Sequence, residues 1–407
     1  MPEWVDPEHV LARPGEGAMG RIRSFETPTV MKHGPGAIRS LGEEVAALGL
    51  KRPMLVTDPG VERAGILAEA TRSLIAASIG HVLFNKVAPN PPISLVDMGA
   101  DIYRGEACDG LIGLGGGSSL DTAKSIGVVA ANGGSILGYE WADPQPIRAR
   151  IPPTICIPTT AGTGSEVTLW AVITDPERRI KFNVGGTALI GAWMALIDPE
   201  LTLALPPAVT AGTGLDALAH AVECYTCDYA QPITDAVALL AMEYIGRYLR
   251  TAYANGNDLE ARYRMCMAAM LAGLSYGTES AGAAHAMSQT AGGVHDVPHG
   301  ALTARLLGPV MEFNYPAAPE RFARIALALG EDGRGLTAFQ AAEKGVEFVM
   351  RLTEDLGIPS LQSLGFRREE IPMLADLAFK DPQTIGNPRV LKLADYGGIY
   401  ARAFEVA

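Results

Sequence analysis

The sequence lacks any uninterrupted apolar run close to the roughly eighteen residues that a membrane-spanning helix needs. Its first residues also lack the basic and apolar regions of a secretion signal. Positive charge is under-represented, because 33 lysines and arginines stand against 45 aspartates and glutamates, which gives a formal net charge of −12. That balance disfavours nucleic acid and anionic membranes as partners. Together these absences predict a soluble, cytoplasmic protein.

Cysteine is scarce, and its five residues are an odd number without the spacing of a disulfide framework. The one close pair, Cys224 and Cys227, is open to two interpretations. It could belong to a metal or redox site, but no second pair accompanies it and it continues a helical pattern. Buried thiols on a packed helix are the favoured interpretation.

The first half of the chain alternates short apolar segments with helical patterns, which is typical of a parallel sheet covered by helices on both faces. The predicted strands are 53–57, 81–84, 110–114, 154–158 and 195–198. After Pro206 and Pro207 the apolar period is near 3.6, and the predicted helices are 233–249, 259–274 and 338–356. The 407 residues exceed one ordinary core. We therefore predict an α/β domain over 1–205 and an all-α domain over 206–407.

Four residues of the second half have the types and spacing of a divalent-metal site: Asp216, His220, His285 and His299. Asp216 and His220 lie four apart in a helical stretch, so both side chains leave the same helical face. The chain has seven histidines, and four of them, including His295, fall within this short region. One carboxylate with three imidazoles suits Fe(II), Zn or a similar first-row ion better than Ca. The alternative is a structural network of histidines and carboxylates.

A glycine-rich loop, residues 113–117, follows a predicted strand and opens a helix. Such a turn lets backbone N–H groups approach a phosphate, and the helix N-terminus favours the negative charge. Two familiar templates fail, because Ser118 replaces the third glycine of the dinucleotide fingerprint and Ala123 replaces the glycine before the lysine of a P-loop. The alternative is a tight strand-to-helix turn that binds no ligand.

A second loop rich in hydroxyl groups and glycine, residues 158–166, follows another predicted strand. Because loops at the carboxyl ends of parallel strands line one crevice, the two loops together suit a ligand with phosphate and ribose groups. Asp58 ends an earlier strand, where its carboxylate could accept hydrogen bonds from a ribose and would repel a 2′-phosphate. This favours NAD over NADP. The alternative is that Asp58, Pro59 and Gly60 form an ordinary turn.

These motifs occur together, in the same order, in one known family. Its first signature is matched by residues 196–201, 205–206 and 212–223. Its second signature is matched by residues 282–285 and 297–300, and its nucleotide loops by residues 115–118 and 158–166. On these motifs the chain resembles the iron-containing (group III) alcohol dehydrogenases over nearly its full length.

The resemblance implies a Rossmann-like dinucleotide-binding α/β domain followed by an all-helical domain, an architecture similar to that of dehydroquinate synthase. It implies NAD as cofactor and Fe(2+), or alternatively Zn(2+), held by Asp216, His220, His285 and His299. It implies that Asp58 lies at the adenosine ribose. The other cofactor contacts that it implies are Gly115, Gly116, Gly117, Ser118, Asp121, Thr159, Thr160, Thr163, Ser165 and Lys181. It also implies a homodimer or a larger homo-oligomer.

One position departs from the family pattern. Many members carry a histidine four residues after the first histidine of the second signature, where this chain has Gln289. A glutamine can orient a hydroxyl or carbonyl group but cannot shuttle a proton at neutral pH. His295 is close enough in sequence to take over, although a loop-packing or solvent-facing role is its favoured interpretation.

The predicted activity is reversible hydride transfer between NAD(H) and a small primary alcohol or its aldehyde, with the metal as a Lewis acid. One alternative is a maleylacetate reductase-like or hydroxyacid-oxoacid transhydrogenase-like activity, in which Arg305 or Lys181 would bind an acidic substrate. Another is a protein that binds NAD and metal without turnover. Candidates for the substrate pocket are Tyr139, Trp170 and Tyr276.

Overall fold

The structure is a computed structural model that describes residues 23–141, 145–277, 282–295 and 297–405. Its strands, in chain order, are β1 (Val30–His33), β2 (Met54–Val56), β3 (Val82–Phe84), β4 (Leu111–Gly115), β5 (Thr154–Pro158), β6 (Trp170–Asp175), β7 (Ile180–Gly185) and β8 (Met194–Ile197). Strands β2, β4, β5 and β8 are buried along their whole length, as expected from their continuous apolar sequences. The five predicted strands are therefore confirmed.

Six strands form one parallel sheet in the order β1-β8-β5-β4-β2-β3. Strands β3 and β4 flank β2 on opposite sides, so the chain reverses its direction across the sheet next to β2. The carboxyl ends of β2 and β4 consequently border a topological switch point, where open α/β sheets bind their ligands.

Strand β1 and the antiparallel hairpin β6–β7 were not predicted. Strand β1 lies at the edge of the sheet and is largely exposed, so its sequence carries no buried apolar run. In β7 the apolar Phe182 and Val184 are buried, while Lys181 and Asn183, which alternate with them, are partly exposed. That alternation is the pattern of a half-buried strand.

Helices cover both faces of the sheet. They are α1 (Leu41–Ala47), α2 (Pro59–Arg63), α3 (Ile66–Ala76), α4 (Ile93–Gly105) and α5 (Gly117–Asn132). Helix α5 follows β4 directly after Gly116 and is buried over most of its length. The glycine-rich loop is therefore a strand-to-helix turn, as the sequence predicts.

The remaining helices are α6 (Pro207–Thr226), α7 (Pro232–Ala254), α8 (Leu259–Tyr276), α9 (Ala283–Val294), α10 (His299–Asn314), α11 (Pro319–Ala328), α12 (Ala338–Asp355), α13 (Ile371–Phe379) and α14 (Leu393–Glu405). Proline is tolerated at the start of α6 because the first helical N–H has no intrahelical acceptor. Helix α6 is buried on all sides and lies at the centre of the helical core.

The predicted division into residues 1–205 and 206–407 stays a prediction. Strand β8 ends at Ile197 and α6 begins at Pro207, but Ala195 and Ile197 pack into the same apolar core as the helices. Within the described residues, no helix combines the length and the apolar character that crossing a membrane requires.

Candidate metal and cofactor site

Helix α6 presents three polar side chains along one face. Asp216, His220 and Glu223 are separated by four and three residues, and all three are buried in the helical core. Side chains at these spacings lie above one another on a helix. Burial of such polar groups costs free energy unless each is paired or bound, so this face of α6 is built for a partner.

The fold brings the four predicted metal ligands together. Asp216 Oδ1 lies 3.7 Å from Nε2 of His285 and 3.6 Å from Nε2 of His299. The ring centroids of His220 and His285 are 4.2 Å apart, and those of His285 and His299 are 5.8 Å apart. One ligand atom from each of Asp216, His220 and His285 lies within 4.8 Å of the others. Helices α6, α9 and α10 therefore supply the cluster.

Each of the four side chains has a buried polar atom without a hydrogen-bond partner in the described part of the chain. These atoms are Asp216 Oδ1, His220 Nδ1, His285 Nε2 and His299 Nδ1. Leaving several buried acceptors unmatched in one place is costly in a folded protein. A carboxylate with three imidazoles is a donor set that Fe(II) and Zn both accept, so the residues fit a divalent metal.

Glu223 holds one of these histidines in place, a role that is not predicted from the sequence. Its Oε2 bonds to Nδ1 of His285, and its Oε1 accepts the backbone N–H of Ala284 at 2.6 Å. This arrangement leaves Nε2 of His285 free to bind a metal, as carboxylates behind metal-bound histidines commonly do. The position of Glu223 on the same face of α6 as Asp216 and His220 was the available signal.

The protonation of the three histidines follows from their surroundings. Burial, followed by the charge of His285, lowers the pKa of His220 to about 3. Burial and the charges of Lys181 and His285 hold the pKa of His299 well below its usual value. Burial also acts to lower the pKa of His285, but the carboxylates of Glu223 and Asp216 outweigh it and raise that pKa. His220 and His299 are thus neutral imidazoles near pH 7, the form that binds metals.

The predicted nucleotide loops face each other where the neighbouring strands β4 and β5 end, next to the switch point of the sheet. A Cβ added to Gly117 would lie 2.8 Å from Cγ2 of Thr163, and one added to Gly116 would lie 3.6 Å from Thr160. The N–H of Thr159 donates to the Gly115 carbonyl at 2.9 Å. The glycines therefore leave the backbone N–H groups at the start of α5 close to a second, hydroxyl-bearing loop. Such a cradle fits phosphate groups.

Asp58 lies beside this cradle. Its Oδ1 accepts the N–H groups of Gly60 and Val61 at 2.7 and 3.1 Å, which caps helix α2. Its Oδ2 accepts the Ser119 hydroxyl at 3.2 Å. Ser118 precedes Ser119 in the first turn of α5 and is half-buried. Asp58 therefore has both features considered from the sequence: it caps a helix at a turn, and it borders the glycine loop.

Helix α5 also fixes the second loop from behind. Asp121 Oδ1 accepts the Ser165 hydroxyl, and its Oδ2 accepts the Val172 N–H at 2.9 Å. The fully buried Lys124 donates from Nζ to the carbonyl oxygens of Ser165, at 2.9 Å, and Trp170. Asp121 and Ser165 are therefore bonded to each other, and they set the shape of the cradle.

A cleft of about 320 Å³ has Lys181, Gln289, Asp381 and Trp141 among its lining residues. Gln289 lies one helical turn after His285 on α9, and its amide N–H donates to the Lys181 carbonyl at 3.0 Å. The charge of Lys181 acts on His299 and that of Asp381 on His285. Burial raises the pKa of Asp381 to about 6. The cleft therefore adjoins the metal cluster.

Two other residues weighed from the sequence lie outside this arrangement. His295 faces Glu370 at 3.3 Å and packs edge-on against Phe366, which agrees with the loop-packing interpretation. Arg305 is fully buried and donates to Glu354 at 2.6 Å. Arg305 is thus committed to the helical core instead of an acidic substrate.

Of the three aromatic candidates for the substrate pocket, two lie near the metal cluster and one does not. Tyr276 stands edge-to-face against the His220 ring with centroids 5.6 Å apart, and Trp170 stands against Tyr276 at 6.3 Å. Tyr139 packs in the core on one face of the sheet, where its hydroxyl donates to the Gly133 carbonyl at 3.0 Å. Trp170 and Tyr276 therefore extend outward from a metal-ligand candidate, whereas Tyr139 does not.

Comparison with known proteins agrees with this site. Residues 28–199 match the family model described as iron-containing alcohol dehydrogenase, and residues 210–404 match that of the C-terminal part of the Fe-containing alcohol dehydrogenase family. A choline dehydrogenase of Bacillus subtilis is 57% identical over 96% of this chain and 97% of its own length. An NAD-dependent methanol dehydrogenase of Bacillus methanolicus is 39% identical over 94% of this chain and 100% of its own.

A solved structure gives the same result for the fold. A crystal structure of 1,3-propanediol oxidoreductase superposes with a TM-score of 0.91 and 38% identity, covering 94% of this chain and 100% of that one. The family predicted from the motifs and the predicted fold class are both confirmed. The chain belongs to the iron-containing alcohol dehydrogenase family.

Proposed function

We propose that the protein catalyses reversible hydride transfer between NAD(H) and a small primary alcohol or its aldehyde at a divalent metal. The observation that carries the proposal is the convergence of Asp216, His220, His285 and His299, each with an unmatched buried polar atom, next to a cleft. Membership of an alcohol dehydrogenase family supports the reaction type. A relative named for its dependence on NAD supports the cofactor.

In this proposal the four converging residues hold Fe(2+), or Zn(2+) where that ion is available. The bound ion supplies Lewis acidity to the substrate oxygen, which favours alkoxide in oxidation and polarises the carbonyl in reduction. The low pKa values of His220 and His299 keep their lone pairs available at neutral pH. Asp216 contributes the one negative charge among the ligands, and Glu223 orients His285 from behind.

The cofactor would lie across the switch point of the sheet. The start of α5, with Gly115, Gly116, Gly117 and Ser118, would bind the phosphates through backbone N–H groups. Asp58 would accept hydrogen bonds from the adenosine ribose and exclude a 2′-phosphate. The residues proposed to surround the phosphates and the nicotinamide end are Asp121, Thr159, Thr160, Thr163, Ser165 and Lys181.

We propose that Gln289 positions the reacting group and does not transfer a proton. Its amide N–H is held by the Lys181 carbonyl, so its carbonyl oxygen is the end that can face a ligand. The proton of the alcohol would leave through a ribose hydroxyl or water. One relative is named for the cationic alcohol choline and another for the neutral alcohol methanol. Family membership alone therefore leaves the alcohol open, and we expect the side chains beside the metal to select it.

The test is NADH formation by anaerobically purified protein with a panel of primary alcohols, before and after chelation and with Fe(II) or Zn(II) added back. We expect activity that disappears on chelation and returns with one of the two ions. His285→Ala should lose both metal and turnover, whereas the matched variant His295→Ala, outside the cluster, should keep both. Activity that survives chelation and the His285→Ala change would contradict the proposal.

A further inference from the structure

Helix α9 contacts the β6–β7 hairpin through three of its residues. The side-chain amide N–H of Gln289 donates to the backbone carbonyl of Lys181 at 3.0 Å. A Cβ added to Gly292 would lie 3.2 Å from Nζ and 3.7 Å from Cε of Lys181. A Cβ added to Gly293 would lie 2.6 Å from the carbonyl oxygen of Arg179, in the turn before β7. The two glycines therefore leave room for the lysine side chain and for the backbone of the turn.

The glycine under the lysine lies on the face of α9 that carries a metal-ligand candidate. His285, Gln289 and Gly292 are separated by four and three residues, so they share one helical face. Gly292 is buried, and a glycine inside a helix costs free energy relative to alanine. The atom closest to its missing Cβ is Nζ of Lys181. The glycine thus gives up helix stability at the place where the ammonium group lies.

The lysine is held at two points before any ligand binds. Its backbone carbonyl is bonded to Gln289, and the end of its side chain lies against Gly292. A lysine loses much rotamer freedom when its ammonium group is fixed, and a group that is already fixed binds a ligand at a lower entropic cost. The seven residues from His285 to Gly292 correspond to about 10 Å along the helix axis. The ammonium group is therefore held two helical turns from a metal-ligand candidate, in the wall of the cleft.

We propose that Gly292 is a positioning residue, which sets where the ammonium group of Lys181 meets the nicotinamide end of the cofactor. The inference rests on the proposed function, since it takes the nicotinamide to lie beside the metal cluster. Hydride transfer needs the nicotinamide and the reacting carbon of the alcohol at a fixed separation. One helix then fixes both sides of that separation, with His285 at the metal and Gly292 under the lysine.

The experiment compares the binding of NADH with that of ADP, which lacks the nicotinamide and its ribose. Gly292→Val should push the ammonium group aside and raise the Kd of NADH by about tenfold or more, the usual effect of losing a hydrogen bond from a charged group. The Kd of ADP should stay unchanged, because ADP does not reach Lys181. Fluorescence titration of NADH and calorimetry with ADP measure the two constants. An equal loss of affinity for both ligands would overturn the positioning role.

Lys181→Ala provides the second arm of the experiment. Once the lysine side chain is removed, the residue at position 292 has no ammonium group to displace. Adding Gly292→Val to this variant should therefore change the Kd of NADH by less than about twofold. A full further loss of affinity there would overturn the inference. Gly398→Val on α14 is the matched control, because a Cβ at Gly398 meets no atom within 4 Å. It should bind both ligands as the wild type does.

A third variant keeps the inference testable if Gly292→Val does not fold. Alanine favours a helix, and the Cβ of Gly292→Ala still contacts Nζ of Lys181. Because the ammonium group has less far to move, we expect a smaller rise in the Kd of NADH and again none for ADP. An unchanged Kd of NADH in Gly292→Ala, with Gly292→Val unchanged or unfolded, would overturn the inference.

The outcomes also separate the two proposals. Oxidation of alcohols by the wild type, together with unchanged NADH affinity in the Gly292 variants, would overturn the positioning role and leave the proposed function standing. A loss of affinity confined to NADH, in a protein that oxidises no alcohol with either metal, would overturn the proposed reaction and leave the positioning role standing.

Discussion

Glu223 and His285 form a buried pair in which the carboxylate Oε2 bonds to the imidazole Nδ1. The second carboxylate oxygen accepts the N–H of Ala284, in the first turn of α9. A Cβ added to Gly282 would lie 2.7 Å from Oε1 of Glu223, so a glycine is required for this approach. One side chain of α6 thus sets both the entry of α9 and the orientation of its metal-ligand candidate.

Replacing Glu223 with Gln should weaken metal binding by about 10- to 100-fold, the usual cost of losing a partner behind a ligand. A glutamine has one acceptor oxygen and cannot serve both N–H groups. The measurement is competition for Fe(II) or Zn(II) against a chelator of known affinity. Glu243→Gln, at an exposed position of α7, is the control. Unchanged metal affinity in Glu223→Gln would contradict the positioning role.

Gly117→Ala should weaken NADH binding by filling the space between the two nucleotide loops. The added Cβ would meet Cγ2 and Oγ1 of Thr163 at 2.8 and 3.0 Å, so the second loop has to move. Overpacking of this kind typically costs about 1–3 kcal/mol. NADH fluorescence titration measures the change in Kd. Gly105→Ala, where the new Cβ meets no atom within 4 Å, should bind NADH as the wild type does.

Asp58→Asn should raise the use of NADP relative to NAD by about tenfold, because a charge close to the 2′-phosphate contributes on the order of 1–4 kcal/mol. An asparagine still has a side-chain oxygen that can accept the N–H groups of Gly60 and Val61. Stability should therefore stay close to that of the wild type. The ratio of kcat/KM for the two cofactors is the measurement. An unchanged ratio would show that the adenosine ribose does not bind beside Asp58.

Glu166 makes stability depend on pH in a defined direction. Burial raises the pKa of this carboxyl from its usual 4.5 to about 7, against the opposing effects of a backbone hydrogen bond and Lys124. At pH values between 4.5 and about 7 this carboxyl is ionised in the unfolded chain but still protonated in the folded one. The free energy of unfolding therefore falls as the pH rises through this range. Above pH 7 the full cost, about 3 kcal/mol, is present.

Glu166→Gln should accordingly raise the free energy of unfolding, relative to the wild type, by more at pH 8 than at pH 5. Urea unfolding at the two pH values measures the difference between the free energies of unfolding. Glu177→Gln, at an exposed position between β6 and β7, should show no such pH dependence. The same difference at both pH values for Glu166→Gln would show that the folded carboxyl is already ionised.

The sequence was informative wherever the signal was local. Asp216 and His220 are four apart on one helix, and the buried strands β4 and β5 are continuous apolar runs. Glu223 was missed because its partner lies 62 positions away in the chain. Its spacing from Asp216 and His220 indicates the helical face that the three residues share, but not the histidine that Glu223 contacts. The cofactor and metal roles of the site residues stay proposals.

The aromatic contacts beside His220 could not be derived from the sequence for a similar reason. Trp141, Trp170 and Tyr276 come from a loop, a strand and a helix, and only the tertiary fold places them in one row. Strand β1 was not predicted because an exposed edge strand needs no apolar run. Spacing identifies ligands on one element, whereas a surface built from several elements leaves no periodic pattern.

The buried Lys124 has a consequence for motion. Its ammonium group is fixed by carbonyl oxygens of Ser165 and Trp170, so it links the helix behind the glycine loop to both the second nucleotide loop and the first residue of β6. The two loops proposed to bind the cofactor and the start of β6 are therefore joined through one buried side chain. A movement of the second nucleotide loop or of the start of β6 away from α5 would have to break these buried hydrogen bonds, so we expect the three segments to move together.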